Sequence, residues 1–538
     1  MSDSDEKKAI SELPRGDRVE SPGHPNALKA EVLHNDVLME DALAGEAAEH
    51  GEGLVAAIKK HPAACFWACT MCFTIVMESF DMFLNGNFVA LPKFKETYGV
   101  LHDGKWVIET KWQSALFQSG QCGAFVGVLI APFISNRIGY RWATIVGLMM
   151  QNLTIFVSFF ANSLDLLTVG QALQGLSWGI HIAISPAYAS EVVPISLRGA
   201  VTGSLQMSWS VGGILVAGVT YAFNQRQDEW AWRIPLALQW LFPLPLMILL
   251  FIGPESPWWL VRAGRKEEAL KSIVRLGDGN PEEAQQKLAM ISRTVEIERR
   301  HGGDAKWADL FKGTDFRRTM IICLMYASQN FAGNLIANQA TFFFQQAGMS
   351  DDFSFILGLI NSCAGLIANI LSWPLTAYFG RRQIYLFGTG VNVTLLMLLG
   401  VCASIPQSSA TNYAQAVLGI LISFVFAGAM GPISYSVIAE TSSLRLRALS
   451  TGIGRAAYYV AEIPMIFVAS VMLNPTGANM AGKCGYVWGG TALICFISAY
   501  FGLPELKGRS YREADILFNR KISARKFKST IIDVKDNE

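Results

Sequence analysis

The chain has 538 residues, 51% of them hydrophobic and 16% charged, which is too apolar for a soluble protein of this length. Its formal net charge of +1 favours no class of partner, and no nucleic-acid ligand is expected. What remains is an all-α polytopic membrane protein in contact with the lipid bilayer.

Residues 1–62 form a charged and polar tail without an apolar core near the start, so no cleavable signal peptide is expected. The first span then serves as the insertion signal. Twelve apolar stretches follow, near 64–89, 113–134, 143–161, 165–188, 200–222, 234–252, 319–344, 355–378, 384–404, 411–438, 448–472 and 486–503. Each approaches the roughly 20 residues a helix needs to cross a hydrocarbon core. Loops carrying Arg137 and Arg141, Arg198, Arg381 and Arg382, and Arg445 and Arg447 alternate with weakly charged ones. That alternation puts the basic loops, and with them both termini, in the cytoplasm, most naturally beneath a plasma membrane. The loop holding Lys93, Lys95, Lys105 and Lys111 is an imperfect fit on the outer side. Cys65, Cys69 and Cys72 share a helical face, but thiols within spans behave as small hydrophobes and no metal site is expected.

The chain also repeats itself. Glu191, Leu197, Arg198, Thr202 and Gly203 answer, at the same spacing, to Glu440, Leu446, Arg447, Thr451 and Gly452. Gly139-Tyr140-Arg141 answers to Gly380-Arg381-Arg382, and Pro254-Glu255 to Pro504-Glu505. Two six-span bundles, 63–253 and 319–503, are thus joined by a hydrophilic helical linker, 254–318, and followed by a tail, 504–538. Two similarly oriented halves imply a carrier with its site between them near the bilayer midplane.

Pro254-Glu255-Ser256-Pro257-Trp258-Trp259-Leu260 and Pro504-Glu505-Leu506-Lys507-Gly508-Arg509 resemble the signatures of the sugar porter family of the major facilitator superfamily. With the Glu and Gly-x-Arg blocks, the resemblance covers nearly all the chain beyond its N-terminal tail. Met77-Glu78-Ser79-Phe80-Asp81, Gly170-Gln171-Ala172-Leu173 and Arg233-Ile234-Pro235 narrow it to the fungal maltose and general α-glucoside permeases. The resemblance implies the twelve-helix major facilitator fold and alternating access, with no cofactor and no ATP site. No set of catalytic residues converges in the sequence, so an enzyme is not expected.

Glu78 and Asp81 stand three apart in the first span, so a helix sets both carboxylates on one face. Intramembrane acids are expensive and mark a functional site by default. In the family, Asp81 falls on an acid associated with proton coupling, and Glu78 on the extra acid of the α-glucoside branch. Arg455, well inside the eleventh span, matches that branch's arginine and requires an anionic neighbour. It is expected to compete with the proton for Asp81 or Glu78. The α-glucoside permeases carry a further glutamate after a glycine of the second span, whereas here Gly123 is followed by Ala124. Glu462, seven residues beyond Arg455, either replaces that acid or lies near the outer end of its helix.

Sugar recognition asks for amides, which bond hydroxyls both as donors and acceptors, and for rings that cover pyranose faces. Gln206, Gln329, Asn330 and Tyr435 occupy positions that the resemblance assigns to substrate contacts. Asn334, Asn338, Gln339, Asn361, Gln171, Gln174 and His181 are weaker candidates, since buried amides also hold membrane helices together. Leu335 stands where many hexose carriers have an asparagine. Arg137, Arg141, Glu191, Arg198, Glu255, Arg381, Arg382, Glu440, Arg445, Arg447 and Glu505 are expected to form gating ion pairs that tie the halves together when the carrier faces outward. An acid usually precedes the Gly-x-Arg turns by three, but Asn136 and Ala377 stand there. The sequence therefore reads as a monomeric importer of a maltose-like α-glucoside with a proton. A carrier of another cargo (hexose, polyol, organic acid or secondary metabolite), an uncoupled facilitator and a nutrient-sensing receptor stay open as alternatives.

Overall fold

The computed structural model describes residues 54–102, 104–277, 280–301, 307–332, 338–442, 446–507 and 511–530. Asn334, Leu335 and Arg445 lie outside them, as do the side chains of Arg198, Arg447 and Ala377. Twelve helical segments run back and forth. In the first half these are α1 (Pro62–Phe88), α2 (Thr110–Ile138), α3 (Tyr140–Phe159), α4 (Leu164–Val192), α5 (Ile195–Phe223) and α6 (Trp230–Ile252). In the second half they are α7 (Gly313–Phe331, continued by Ala340–Gln346), α8 (Asp351–Tyr378), α9 (Arg381–Ser404), α10 (Ser409–Thr441), α11 (Arg447–Leu473) and α12 (Cys484–Gly502).

Among the described residues, nine helices are long and apolar enough to cross a membrane on composition alone. The remaining three, α4, α5 and α7, are those with polar side chains along their length or an interrupted course. In α4 the residues Gln171, Gln174, Ser177, His181 and Ser185 are all fully buried, so this polarity faces other helices and not lipid.

Proline decides where helices deform. In α10, Pro432 lacks an N–H and cannot continue the regular ladder, and one π-type turn over Phe426–Met430 precedes it. In α6, a 3₁₀ turn over Gln239–Leu241 precedes Pro243. Glycine decides where helices touch. Gly120, Gly123 and Gly127 of α2 lie directly on Ala172, Gly175, Leu176 and Gly179 of α4, and a Cβ at Gly175 would collide with the Gly120 carbonyl. Such backbone approach between small residues is how helices associate where lipid removes the hydrophobic drive. Gly212 of α5 similarly lies on Val76 and Ser79 of α1.

The linker follows α6 as three helices, Pro257–Arg262, Lys266–Leu276 and Pro281–His301, with a small apolar core of its own around Trp259, Ile273 and Ile291. After α12, helix Tyr511–Asn519 tucks beneath α7, where the Arg318 guanidinium lies 4.5 Å from the Phe518 ring. On the opposite, far face, α1 leads into a short helix (Pro92–Tyr98) and a hairpin of β1 (Val100–His102) and β2 (Lys105–Val107), paired Val100 to Val107. Three of the four lysines that stood out in this loop have polar partners. Lys93 bonds Glu96 at 3.0 Å, Lys111 bonds Glu109 at 2.7 Å, and Lys95 donates to Gln345 of α7 at 3.0 Å.

The two halves are joined at this far face. Asn474, just past α11, donates to the Ile108 carbonyl at 2.9 Å and to Gln113 of α2, while Thr476 bonds the Thr110 hydroxyl at 2.7 Å. Asn224, past α5, donates to Asp352 of α8 at 3.0 Å. Nearer the middle, Asn369 of α8 donates to Ser210 of α5 at 2.7 Å.

Gly175→Val is expected to force α2 and α4 apart and to destabilise the protein by about 1–3 kcal/mol, the usual cost of overpacking. Thermal unfolding of the purified protein checks this, and an unchanged midpoint would contradict the close contact.

Candidate functional site

A cavity lies between the halves, with about 1070 Å³ of atom-free space including the part that opens to solvent. From the first half, α1 contributes Phe83 and Asn87, and α5 contributes Gln206, Trp209, Ser210 and Gly213. From the second come Gln329 of α7, the intervening Asn338 and Gln339, Asn361 and Ser362 of α8, Tyr435 of α10, and Arg455 and Tyr458 of α11. Helical spacing explains the lining: Gln206, Trp209 and Gly213, like Gly358, Asn361, Ser362 and Gly365, form a single stripe at intervals of three and four. The π-type turn of α10 carries Phe426 and Ala427 to the same wall.

Three lining amides each have a buried polar atom with no hydrogen-bond partner among the described residues: Gln329 Nε2, Gln339 Oε1 and Asn361 Oδ1. Buried groups of this kind are costly unless something satisfies them. A polyhydroxylated ligand offers both donors and acceptors for such a set. Asn330 is not part of the wall, because the next residue along a helix points about 100° away. It is fully buried and donates to the Tyr458 carbonyl at 3.2 Å. Gln171 accepts from Asn85 at 2.6 Å and Gln174 donates to Gln239 at 3.3 Å, both inside the first bundle. His181 packs against Gly147 of α3.

The intramembrane charges divide into two environments. Asp81 is fully buried, and its Oδ2 accepts from Gln151 of α3 at 2.6 Å and from the Trp178 indole of α4 at 3.3 Å. It is held inside the first half, away from the cavity wall. Glu78, one turn earlier, lies within the electrostatic reach of Arg455, Asp81 and Glu462. Arg455 is set among tyrosines. Its guanidinium lies 4.5 Å from the Tyr458 ring and 5.1 Å from that of Tyr459, and it donates to the Tyr459 hydroxyl at 3.5 Å. Such stacking suits a weakly hydrated cation whose carboxylate partners stand further off. Glu462 is fully buried well inside α11 rather than at its end, and accepts from the Tyr458 hydroxyl at 3.1 Å.

The repeated motifs gather at the linker face. Glu255 caps the start of α3 by accepting from the Tyr140 amide at 3.1 Å and the Arg141 amide at 3.1 Å, and Arg141 in turn donates to the Gly253 carbonyl at 2.7 Å. Burial pushes the Glu255 carboxyl above the usual range, while the amides of Ser256, Arg141 and Tyr140 and the Arg141 charge pull it back. Glu191 accepts from Arg262 at 2.6 Å and from Ser256. In the second half Glu505 repeats the cap on the amides of Arg381 at 3.0 Å and Arg382 at 3.2 Å, and Arg381 bonds Glu440 at 3.0 Å. Gly139 and Gly380 face these caps so closely that a Cβ at either would strike the carboxylate. Each of these bonds lies within one half or between it and the linker. None of them makes the bridge between the halves expected of them from the sequence.

Sequence reasoning did not single out Trp209, Phe83, Asn87 or Ser362 of the wall. Trp209 was within reach, since it follows Gln206 by three on the same face of α5.

Comparison with known proteins agrees with this architecture. The family described as "Sugar (and other) transporter" matches residues 67–518. A general alpha-glucoside permease of Saccharomyces cerevisiae is 33% identical over 510 residues, covering 93% of this chain and 83% of the relative. A maltose permease of the same organism is 32% identical over 507 residues, covering 93% of this chain and 82% of the relative. Among solved structures, the inward open conformation of the xylose transporter XylE from E. coli superposes with a TM-score of 0.67 at 18% identity, covering 84% of this chain and 99% of that one.

Neutralising the linker-face motif with Glu191→Gln is expected to lower the maximal transport rate several-fold and to leave the order of preferred substrates unchanged. Initial-rate uptake over a series of sugars checks this, and a reordered series would place Glu191 in recognition. Asn474→Ala removes a bridge between the halves and leaves Gln113 and the Ile108 carbonyl short of a donor, at about 1–3 kcal/mol. Spin labels on the far ends of α2 and α11 should then report a larger widely separated population, and an unchanged distance distribution would contradict the bridge.

Proposed function

The chain belongs to the sugar transporter family, and on that premise we propose that it imports an α-glucoside, a disaccharide of the maltose kind, together with a proton. As a member of that family it is a transporter and not an enzyme. The observation that carries the choice of cargo is the cavity wall. Its polar side chains include six neutral amides, three of them with a buried atom that has no partner among the described residues, joined by Trp209, Phe83 and Tyr435 as ring surfaces. The names of the two yeast permeases, each matched over more than nine-tenths of this chain, support the same class of cargo.

Proton coupling is supported by Glu78 and Asp81, two carboxylates buried in one helix of a membrane protein, together with Arg455 at the cavity. Gln206, Gln329 and Tyr435 contact the sugar, and Asn330 acts from behind by fixing the backbone of Tyr458. The halves 63–253 and 319–503 rock about the cavity. When the far face opens, the linker-face pairs of Arg137, Arg141, Glu191, Arg198, Glu255, Arg381, Arg382, Glu440, Arg447 and Glu505 rearrange to tie the halves there. The carrier works as a monomer in the plasma membrane, with the tails and linker in the cytoplasm.

Uptake of labelled maltose into proteoliposomes, challenged with unlabelled maltose, sucrose, trehalose, lactose, glucose and polyols, tests the cargo. Maltose and other α-glucosides are expected to compete best. Failure of every sugar to compete, or a lack of flux, would overturn the reading.

A further inference from the structure

Glu462, a candidate replacement for the acid missing at Ala124, has no step in the transport proposed above, and it is thoroughly enclosed. It is 0% exposed, its Oε1 accepts from Tyr458, and its Oε2 has no partner among the described residues. Its depth follows from the way α2 and α11 meet. They run antiparallel and are pinned at the far face by the bond between Asn474 and Gln113. Glu462 lies twelve residues from Asn474 and Ala124 lies eleven from Gln113. At about 1.5 Å per residue both are about 17 Å in from that bond, close to the middle of a hydrocarbon core about 30 Å thick. Between Lys111 and Arg137, α2 carries no acid or base. Glu462 is therefore the ionisable group at mid-depth on this seam between the halves.

The groups that act on it come from several helices. Its own helix supplies Arg455, Tyr458 and Tyr459, and α1 supplies Glu78. The tyrosine cage around Arg455 is completed by Tyr326 of α7 and Tyr435 of α10. Asp81 is engaged separately by Gln151 and Trp178. Glu78 and Glu462 lie within the reach of the one guanidinium, while Asp81, a turn from Glu78, is bonded by neutral donors that leave its charge uncancelled. Among the described residues no carboxylate forms an ion pair with Arg455, whose guanidinium rests over Tyr458 and Tyr459. A cation in a poorly solvated site satisfies one carboxylate, and a second ionised one nearby is strongly disfavoured.

We propose that Glu462 is a second proton-carrying acid of this transporter, exchanging with Glu78 for the single guanidinium of Arg455. When Glu462 gives up its proton by way of the Tyr458 hydroxyl that bonds it, to water in the cavity that Tyr458 lines, its carboxylate draws Arg455, and Glu78 takes up a proton in place of that partner. When Glu78 releases its proton, Arg455 returns to it and Glu462 is protonated from the cavity. One proton and one ion pair trade places, so the buried charge is constant. Glu78 belongs to the first half while Glu462 and Arg455 belong to the second. The exchange therefore makes or breaks an ion pair across the seam, which is what a proton must do to bias the rocking of the halves. The transport consequence rests on the proton-coupled reading above, whereas the proton exchange itself does not depend on the cargo.

Two measurements on the full chain in lipid test this. Infrared difference spectra between acid and alkaline pH, in the carboxyl C=O region, should lose a band in Glu462→Gln and show that band displaced in Glu462→Asp. Spectra of Glu462→Gln identical to wild type would overturn the proposal, because Glu462 then exchanges no proton. In proteoliposomes with labelled maltose, a one-unit pH gradient can drive about tenfold accumulation per proton. Glu462→Gln should abolish this accumulation, hold maltose counterflow within about twofold of wild type, and be rescued by Glu462→Asp. Equal loss of accumulation and counterflow in Glu462→Gln would make the residue structural and overturn the proposal. Wild-type protein that shows the Glu462 band but moves no maltose would count against the assigned cargo and leave Glu462 as a proton site.

Discussion

A charge that leaves water must be matched, and the centre of this molecule is arranged around one such charge. Arg455 projects from α11 to the wall of the cavity and is held over Tyr458 and Tyr459. Lipid offers it nothing, so its partners must come from within the protein. That requirement places Glu78 on α1 and Glu462 on α11 within its field, and it keeps the seam between the halves polar at the depth where the cavity lies. The amides of the wall answer the same constraint in neutral form.

The remaining polar groups are sorted by what they must hold still. Asp81 is locked to Gln151 and Trp178 in the first bundle, where Gly120, Gly123, Gly175 and Gly179 let α2 and α4 touch. Asn474 and Thr476 clasp the far face, and the Glu255 and Glu505 caps square off the linker face of each half. Each half is thus tied internally by polar contacts, and the two are joined at the far face and through Asn369 and Ser210. Rigid units with a polar seam are what alternating access needs.

Much of this is legible in the sequence, for identifiable reasons. Spans follow from apolar length, and the two halves follow from the repeat of Glu191 and Arg198 in Glu440 and Arg447, because both are properties of composition and spacing. Gln206 and Gln329 are visible as amides in apolar helices, but the same signal also picks out Gln171, Gln174 and Asn330, which bond inside their own bundles. An amide that lines a cavity and one that joins two helices look alike until the neighbours are known. The depth of Glu462 is hidden for a different reason: it depends on the register of α11 against α2, which is set by Asn474 and Gln113, far apart in the chain. The confinement of the motif ion pairs to single halves is likewise a matter of conformation, on which spacing is silent.

The central proposal is that sugar and proton are carried together, with Arg455 set at the cavity among the coupling acids. It is tested most directly by recording the external pH of a lightly buffered proteoliposome suspension on addition of maltose. The account predicts an immediate alkalinisation that saturates at the same maltose concentration as uptake. Maltose uptake with a flat pH trace would contradict it.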